Sequence, residues 1–287
     1  MINRINYKND KRDSDFEIID LPTFFTTRPK SLLEKDFRLN FWSIIYITEG
    51  SGHHFVDFIR YPYKKGDIIF VQKNQVHHFE VNQIVKGWLI HLNEPFFYRI
   101  KGFKGDIFLD LVDQAAGIPV LPFKNGPDTT NRILIDLIHR EYEQNVNSFD
   151  IELIASLFRS FILSLRPQLP VKKEIFQSKD YENFKTFRTL VETNYTTTRN
   201  VEDYANRMNL SRKTINQATR NVAGLSAKQF IINRITLEIK RHLSLGELMN
   251  YEIADLMGFD EPANMSKFFM RYEGLSPKDF RDDVQKR

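Results

Sequence analysis

Four polar side chains at helical spacing have the most suggestive chemistry in the sequence: Lys213, Asn216, Gln217 and Arg220. At positions i, i+3, i+4 and i+7 they share one face of a helix. The amides of Asn and Gln can pair bidentately with adenine, Lys can reach guanine, and Arg can serve a base or a phosphate. The pattern therefore predicts a helix that lies in the major groove of DNA with this face toward the bases.

A short supersecondary unit positions that face. Residues 201–208 place apolar side chains at i, i+3, i+4 and i+7, which indicates a short amphipathic helix. Asn209-Leu210 then predicts a turn, Ser211 an N-cap, and Gly224 the end of a second helix. Two short helices joined by a tight turn are typical of a helix-turn-helix.

The same unit recurs in the chain. The segment from Gly224 to Phe230 reappears fifty positions later from Gly274 to Phe280, which indicates one unit used twice. The outer face of the second copy holds Ala263, Asn264, Lys267 and Arg271. Between the copies, residues 227–245 predict one helix of roughly 28 Å. A rod of that length can hold two recognition helices about 34 Å apart, one turn of DNA.

The formal net charge of +4 is unevenly distributed. Residues 199–241 hold nine basic and three acidic side chains, whereas residues 251–281 hold four basic and six acidic ones. Because neutralisation of phosphates supplies much of the affinity for DNA, we expect the first unit to bind more tightly than the second.

These motifs resemble the AraC/XylS family of bacterial transcription regulators. The resemblance covers about the last 105 residues and is carried by the paired units and by two segments, 258–262 (GFDEP) and 274–281 (GLSPKDFR). It implies an all-helical domain that contacts two adjacent major grooves. The base-reading residues that it implies are Lys213, Asn216 and Gln217 in the first unit and Ala263, Asn264 and Lys267 in the second. We add Arg212, Arg220 and Arg271 as further DNA-contacting residues.

Four core positions of this domain depart from the family pattern. Thr219 and Met265 stand where aromatic or large apolar residues are usual, and Ile239 and His242 stand where Ala and Leu are usual. These differences bear on local packing.

The N-terminal half changes to a β pattern. After a loose start and a short strand within residues 1–40, we predict strands at 41–48, 53–61, 67–71, 77–81 and 85–92, separated by turn residues. Regular short strands favour a sandwich or a small barrel. The segment 66–71 followed by His77 resembles the second motif of the cupin barrel.

Metal chemistry in that barrel is not expected. His54 and His77 stand at two of the four ligand positions of metal-dependent cupins, and Gly52 and Ile59 stand at the others. Two imidazoles make a poor metal site, so we predict no metal, no cofactor and no catalytic residue. The candidate residues for binding a small molecule are Trp42, Tyr46, His54, His77 and Trp88. The alternative is that these side chains belong to the core.

Two amphipathic helices follow, at about 128–145 and 149–165. In the resembled family such a pair mediates dimerisation; the alternative is that both pack on the barrel. We thus predict an α+β chain of two domains: a cupin-like sensor and dimerisation domain at 1–166, a proline-containing linker at 167–178, and the helical domain at 179–287, which ends in a frayed tail at 282–287.

The resulting interpretation is a ligand-responsive bacterial transcription regulator in the cytoplasm, either an activator or a repressor, without a signal peptide or membrane span. Its expected partners are promoter DNA, a small-molecule effector, RNA polymerase and a second copy of the chain. One alternative is a cupin-like enzyme with an accessory helical domain; zero cysteines exclude an alkyl-transfer nucleophile. Another is a regulator controlled by a protein partner.

Overall fold

The computed structural model describes residues 3–5, 15–80, 85–100, 119–121, 129–144, 151–165 and 178–286. The chain divides into two compact units, Ile2–Leu169 and Pro170–Arg287. The first contains strands and helices and the second is helical. The predicted α+β architecture of two domains is confirmed. Most of the predicted linker, residues 167–177, lies outside the described residues.

Ten short strands make up two sheets of the N-terminal unit. They are β1 (Asn3–Ile5), β2 (Phe16–Asp20), β3 (Phe37–Leu39), β4 (Trp42–Glu49), β5 (Ser51–Val56), β6 (Ile59–Lys64), β7 (Ile68–Val71), β8 (Val76–Phe79), β9 (Lys86–Leu92) and β10 (Val120–Leu121). The first sheet has the order β1-β3-β8-β5-β6 and the second β10-β7-β4-β9-β2. All neighbouring strands are antiparallel except β1 and β3.

The prediction of one strand over residues 53–61 is wrong. Asp57 and Phe58 both have positive φ, 47° and 71°, and form the two-residue turn of a hairpin between β5 and β6. Such a turn requires a left-handed conformation at both central residues, which Phe seldom adopts. The Asp57 carboxylate stabilises it by accepting bonds from Val76 N and Gln75 Nε2, at 3.2 and 2.8 Å.

The start of the chain is also more regular than predicted. Besides β1, β2 and β3, residues 15–39 form α1 (Leu21–Thr27) and α2 (Lys30–Leu33). Asp20 caps α1 by accepting a hydrogen bond from Thr23 N at 2.9 Å. Phe24 on α1 is buried against Phe79 of β8.

Three further helices of this unit lie within the described residues: α3 (Glu94–Ile100), α4 (Thr129–Gln144) and α5 (Ile151–Leu165). The predicted bounds of the last two agree with those helices within the described residues. The spacing predicts that the buried face of α4 consists of Ile133, Leu134, Leu137, Ile138 and Tyr142. This prediction is partly wrong, because Ile133 is 55% exposed whereas Ile135 is fully buried.

The second sheet separates two apolar cores because successive side chains of a strand point to opposite faces. Along β4, Ile44 and Tyr46 pack with α3, α4 and α5, whereas Ile45 and Ile47 pack with side chains of the first sheet and α1. Tyr46 and Phe161 of α5 make an aromatic pair at 6.3 Å. One face of this sheet therefore supports the helices, and the other closes the interior between the sheets.

The C-terminal unit consists of α6 (Lys179–Asn194), α7 (Val201–Met208), α8 (Arg212–Ala223), α9 (Ala227–Leu245), α10 (Asn250–Leu256), α11 (Pro262–Glu273) and α12 (Pro277–Lys286). Ser211 caps α8 by accepting a bond from Thr214 N, and Gly224 ends it in a left-handed conformation. Asn209 makes the turn between α7 and α8 with φ 51°. The prediction of two helix-turn-helix units joined by a continuous helix is confirmed.

The predicted frayed tail is wrong, because residues 282–286 belong to α12. Phe280 of α12 is buried and pairs edge to face with Phe269 of α11 at 5.6 Å. This contact holds the start of α12 to the second unit, and the acidic residues after Phe280 continue the helix in solvent.

The core positions that depart from the family pattern are well packed. Thr219 is fully buried and donates its hydroxyl to Ile215 O at 2.7 Å, so its polar group is satisfied. Met265 and Ile239 are fully buried as well. His242 lies 3.5 Å from the Glu238 carboxylate, which Arg234 and Arg241 also contact at 2.9 and 3.2 Å.

The second helix-turn-helix unit also contacts the segment that precedes the first unit. Arg199, just before α7, lies 3.7 Å above the ring of Phe259 and donates to the carbonyls of Met257 and Gly258, each at 2.8 Å. Gly258 packs against Thr196 O. The turn of the second unit is thereby fixed to the segment that precedes the first, in addition to the connection through α9.

Within the described part of the chain, no helix is both long enough and apolar enough to cross a bilayer.

Candidate nucleic-acid interface and interior histidines

The outer face of α8 has the polarity that the sequence predicts. Lys213, Gln217 and Arg220 are exposed, whereas Ile215 and the two residues that follow Gln217 are buried. Arg212 is exposed too and pairs with Glu202 of α7 at 2.7 Å. The helix therefore presents long donors and the Gln217 amide to solvent.

The second recognition helix, α11, has the same division. Ala263, Asn264, Lys267 and Arg271 are all exposed. Met265 and Phe269 of the same helix are fully buried. All the residues predicted to face DNA in the second unit thus share the solvent side of α11.

The fifty-residue offset shows which positions of the two helices are equivalent. The glycines that end them, Gly224 and Gly274, have φ of 70° and 76°. On that register Lys267 matches Gln217, while the exposed Met270 matches Arg220. Arg271 matches Asn221, which the sequence analysis did not select. Applying the offset to Arg271 is the signal that would have found Asn221.

Asn216 differs from its neighbours because both ends of its amide already have partners. Its Oδ1 accepts from Ala227 N, the first residue of α9, and its Nδ2 donates to Arg212 O, each at 3.0 Å. Ala227 is fully buried. The side chain joins α8 to α9. We therefore propose that Asn216 positions α8 and that Gln217 reads a base in its place.

This distinction leads to opposite expectations for two neighbouring alanine variants. Asn216→Ala leaves the buried Ala227 N–H without its acceptor and should lower the free energy of unfolding by about 1–3 kcal/mol. Gln217→Ala removes an exposed side chain and should change stability by less than about 0.5 kcal/mol. It should instead reduce base discrimination by about 1–3 kcal/mol at one position.

Urea unfolding followed by circular dichroism, and binding to a randomised duplex library, measure the two effects. Trp42 and Trp88 are the only two tryptophans and both lie in the N-terminal unit. Their fluorescence therefore serves as an internal control that neither variant should change. Equal stability of the two variants would contradict the assignment.

Gln217 belongs to a chain of hydrogen bonds that the sequence analysis missed. Its Nε2 donates to Asn221 Oδ1 at 2.9 Å, and Asn221 Nδ2 donates to Asp180 Oδ2 at 2.6 Å. Asp180 lies in the first turn of α6, about forty residues earlier in sequence. Local periodicity contains no signal for this contact.

In the N-terminal unit, the five residues predicted to line one ligand pocket fall into two groups. Trp42, Tyr46 and Trp88 belong to the core shared by the second sheet and the helices, where Trp88 lies 4.3 Å from the ring of His139 on α4. His54 and His77 belong to the first sheet and contact the ring of Phe79. The second sheet lies between the two groups, so they do not surround a common space.

His54 and His77 form a buried pair between the sheets. The distance from His54 Nε2 to His77 Nδ1 is 3.1 Å, and both side chains are at most 2% exposed. Burial lowers the pKa of His54 to about 3 and the pKa of His77 well below its usual value. Both imidazoles are therefore neutral at neutral pH, and one donates its proton to the other.

The adjacent histidines face the other side of the sheet, as their alternation predicts. His78 is stacked on Phe55 and lies 2.5 Å from Asp36, and His53 lies 3.3 Å from Glu80. Among the described residues, no group of three histidine, aspartate or glutamate side chains is close enough to hold a metal ion.

Two family models match the chain. The model described as an AraC-like ligand binding domain matches residues 36–161, and the one described as a helix-turn-helix domain matches residues 204–283. The first contains both sheets' central strands and the helix pair, and the second contains both recognition helices.

Named relatives are similar over most of their length. The chain is 23% identical to the Msm operon regulatory protein of Streptococcus mutans over 260 residues, which cover 84% of each chain. It is 24% identical to the HTH-type transcriptional activator RhaS of Pectobacterium carotovorum, covering 84% of this chain and 85% of that protein. Among solved structures, fatty-acid-bound ToxT of Vibrio cholerae has a TM-score of 0.48 and 14% identity, covering 96% and 97% of the two chains.

Proposed function

This chain belongs to the AraC/XylS family of transcription regulators, and from that premise we propose that it binds two adjacent major grooves of promoter DNA through α8 and α11. Its C-terminal unit is an AraC-type helix-turn-helix domain and its N-terminal unit is a ligand-binding domain. The residues proposed to contact DNA are Arg212, Lys213, Gln217 and Arg220 in the first helix and Ala263, Asn264, Lys267 and Arg271 in the second.

The observation that supports this proposal most strongly is the pair of exposed polar faces at equivalent positions of one compact unit. The connecting helix α9 has 19 residues, which corresponds to roughly 28 Å. The length of α9, together with the contact of the second turn with Thr196 and Arg199 before the first unit, suits a rigid reader of one face of the double helix.

Charge should make the two units unequal in affinity. Ala263 and Met270 stand where the first unit has Lys213 and Arg220, and six carboxylates of residues 251–281 repel phosphate. Phosphate contacts should therefore come mainly from the first unit.

We expect the double variant Lys213→Ala/Arg220→Ala to lose more affinity than Lys267→Ala/Arg271→Ala. The slope of log affinity against log salt concentration should fall by about 2 in the first variant and by about 1 or less in the second, because each lost phosphate contact removes about one released counterion. A gel-shift titration at several salt concentrations measures both. Equal losses in the two variants would refute the assignment of tighter binding to the first unit.

We propose that the N-terminal unit senses a small-molecule effector between the sheets, next to His54 and His77. Trp42, Tyr46 and Trp88 are then core residues of the helix-facing side. A thermal-shift screen of the full chain against sugars and other metabolites should identify the effector. If no metabolite stabilises the chain but a protein partner binds to it, this result would favour the alternative that a protein controls the regulator.

The remaining parts of the proposal concern assembly and output. Four apolar side chains of α4 and α5 are exposed: Ile133, Leu137, Leu153 and Leu163. We propose that they form the contact of a homodimer. Sedimentation velocity would test whether the chain is a dimer. The name of the RhaS relatives supports a role in activation of transcription. We propose that this activation involves RNA polymerase and takes place in the cytoplasm. The named relatives are regulators, which disfavours the enzyme alternative.

A further inference from the structure

We propose that Asp180 and Asn221 are positioning residues that orient the Gln217 amide and so make the first unit select adenine at one base pair. This inference rests on the proposed function, because it requires that Gln217 faces a base. The three side chains form one continuous chain of hydrogen bonds, at 2.6 Å between Asp180 and Asn221 and at 2.9 Å between Asn221 and Gln217.

The carboxylate of Asp180 sets the direction of this chain. An ionised carboxylate can only accept hydrogen bonds, so Asn221 must turn its Nδ2 toward Asp180 and its Oδ1 toward Gln217. Gln217 must then donate through Nε2. An amide beside another amide has no such preference by itself, because either end can pair with either end. The orientation of Gln217 is thus decided two hydrogen bonds away, by Asp180 on α6.

The oriented amide presents one donor and one acceptor to solvent. Gln217 Nε2 has two hydrogens, of which Asn221 takes one, and Oε1 remains available as an acceptor. Gln217 is exposed on the outer face of α8, so both groups can reach a base edge.

Adenine is the base whose major-groove edge matches this pair. It offers the acceptor N7 beside the donor N6, whereas guanine offers two acceptors, N7 and O6. Gln217 held in the opposite orientation would keep both N–H donors for a base, and these would also match the two acceptors of guanine. Fixing the amide in advance also avoids the entropy cost of ordering the side chain when DNA binds.

The second unit lacks the requirement for such orientation. Lys267 and Arg271 occupy the positions of Gln217 and Asn221, and both are cations that can only donate. An amide oriented by a carboxylate is therefore a feature of the first unit, which has amides at the two positions where the second unit has cations.

The test is selection from a randomised duplex library by the full-length protein and five single variants at one salt concentration. The variants are Gln217→Ala, Asn221→Ala, Asp180→Ala, Asp180→Asn and Glu182→Ala. Glu182→Ala is the matched control, since Glu182 is an exposed carboxylate in the same first turn of α6. The readout is base preference at one position, which a general change in charge or stability does not move.

We expect Gln217→Ala to abolish one adenine preference. Asn221→Ala and Asp180→Ala should weaken that same preference about 2- to 12-fold, the ratio that corresponds to freeing one immobilised side chain. Asp180→Asn should admit guanine at the position, because an amide can donate to Asn221 Oδ1 and reverse the chain. Glu182→Ala should keep the full preference.

The outcomes separate the inference from the function on which it rests. If Gln217→Ala changes no base preference, Gln217 does not read a base and the proposed contact itself is wrong. If Gln217→Ala relaxes one position while the Asp180 and Asn221 variants select like the wild type, base reading stands and the positioning chain is refuted. If Glu182→Ala relaxes the position equally, the effect comes from charge and the inference is also overturned.

Discussion

Gly258→Ala should lower the free energy of unfolding of the C-terminal unit by about 2–5 kcal/mol. Gly258 has φ +65°, and a side chain in this left-handed region costs about 1–2 kcal/mol. In addition, the new Cβ would lie 1.9 Å from Thr196 O. Relief of such an overlap needs a backbone shift, which typically costs about 1–3 kcal/mol more.

Two other glycines provide matched controls for this variant. Gly224 and Gly274 have nearly the same φ, 70° and 76°, but a Cβ at either would meet nothing within 4 Å. Gly224→Ala and Gly274→Ala should therefore lose only the conformational part, about 1–2 kcal/mol. The difference from Gly258→Ala isolates the contact between the second turn and Thr196.

Displacement of the second turn should also affect DNA binding. The carbonyl of Gly258 accepts from Arg199, so a shift at this point changes how α11 is held relative to α8. We expect Gly258→Ala to bind DNA more weakly than either control, with a smaller salt slope because fewer phosphates are contacted. Circular dichroism measures the stability and the gel shift measures the affinity. Equal behaviour of the three variants would show that the Thr196 contact does not fix the second unit.

Acid should destabilise the N-terminal unit because it protonates two histidines only after unfolding. The folded pKa values of His54 and His77 lie below the ordinary value of 6.5. Stability from their neutral forms is complete above pH 6.5 and is lost as the pH falls toward the folded pKa, about 3 for His54. At pH 5 the unfolded chain gains about 2 kcal/mol from protonating His54, and protonation of His77 destabilises the folded unit in the same direction.

Urea unfolding at pH 7.5 and pH 5, followed by the fluorescence of Trp42 and Trp88, measures this loss in the N-terminal unit. The double variant His54→Gln/His77→Gln cannot titrate at these positions, so its stability should differ less between the two pH values. His54→Gln alone should remove part of the difference and serves if the double variant folds poorly. A loss in the double variant as large as in the wild type would assign the acid sensitivity to other groups.

The helical unit could be predicted closely from sequence because its signals are local. Ser211, Gly224 and Pro262 act on the few residues next to them, and apolar spacing defines the buried side of each helix within two turns. These signals depend on neighbours in sequence, so the bounds of α7 and α9 agree with those predicted from the sequence. The prediction of a frayed tail was wrong for residues 282–286 because the buried contact of Phe280, which anchors their helix, is a tertiary contact.

The β half was harder because its decisive interactions join distant residues. The hairpin turn at Asp57-Phe58 has an unfavourable residue in a left-handed conformation, and bonds from Gln75 and Val76 compensate it. Whether an aromatic residue on a strand faces the helices or the other sheet likewise depends on which elements cover each face. The local pattern therefore does not show that Trp88 and His77 lie on opposite sides of the second sheet.

Sequence alone determined the paired helix-turn-helix units, their outer faces and the α+β class, since periodicity and capping act over one or two helical turns. Only the tertiary structure decided that Asn216 supports α9, that Asp180 orients Gln217, and that the predicted ligand residues lie on two sides of one sheet. Each of these depends on hydrogen bonds or packing between separate elements, 11 residues apart for Asn216 and Ala227 and 41 for Asp180 and Asn221. Local sequence pattern does not specify which side chains of separate elements meet. These contacts can therefore be identified only from the folded structure.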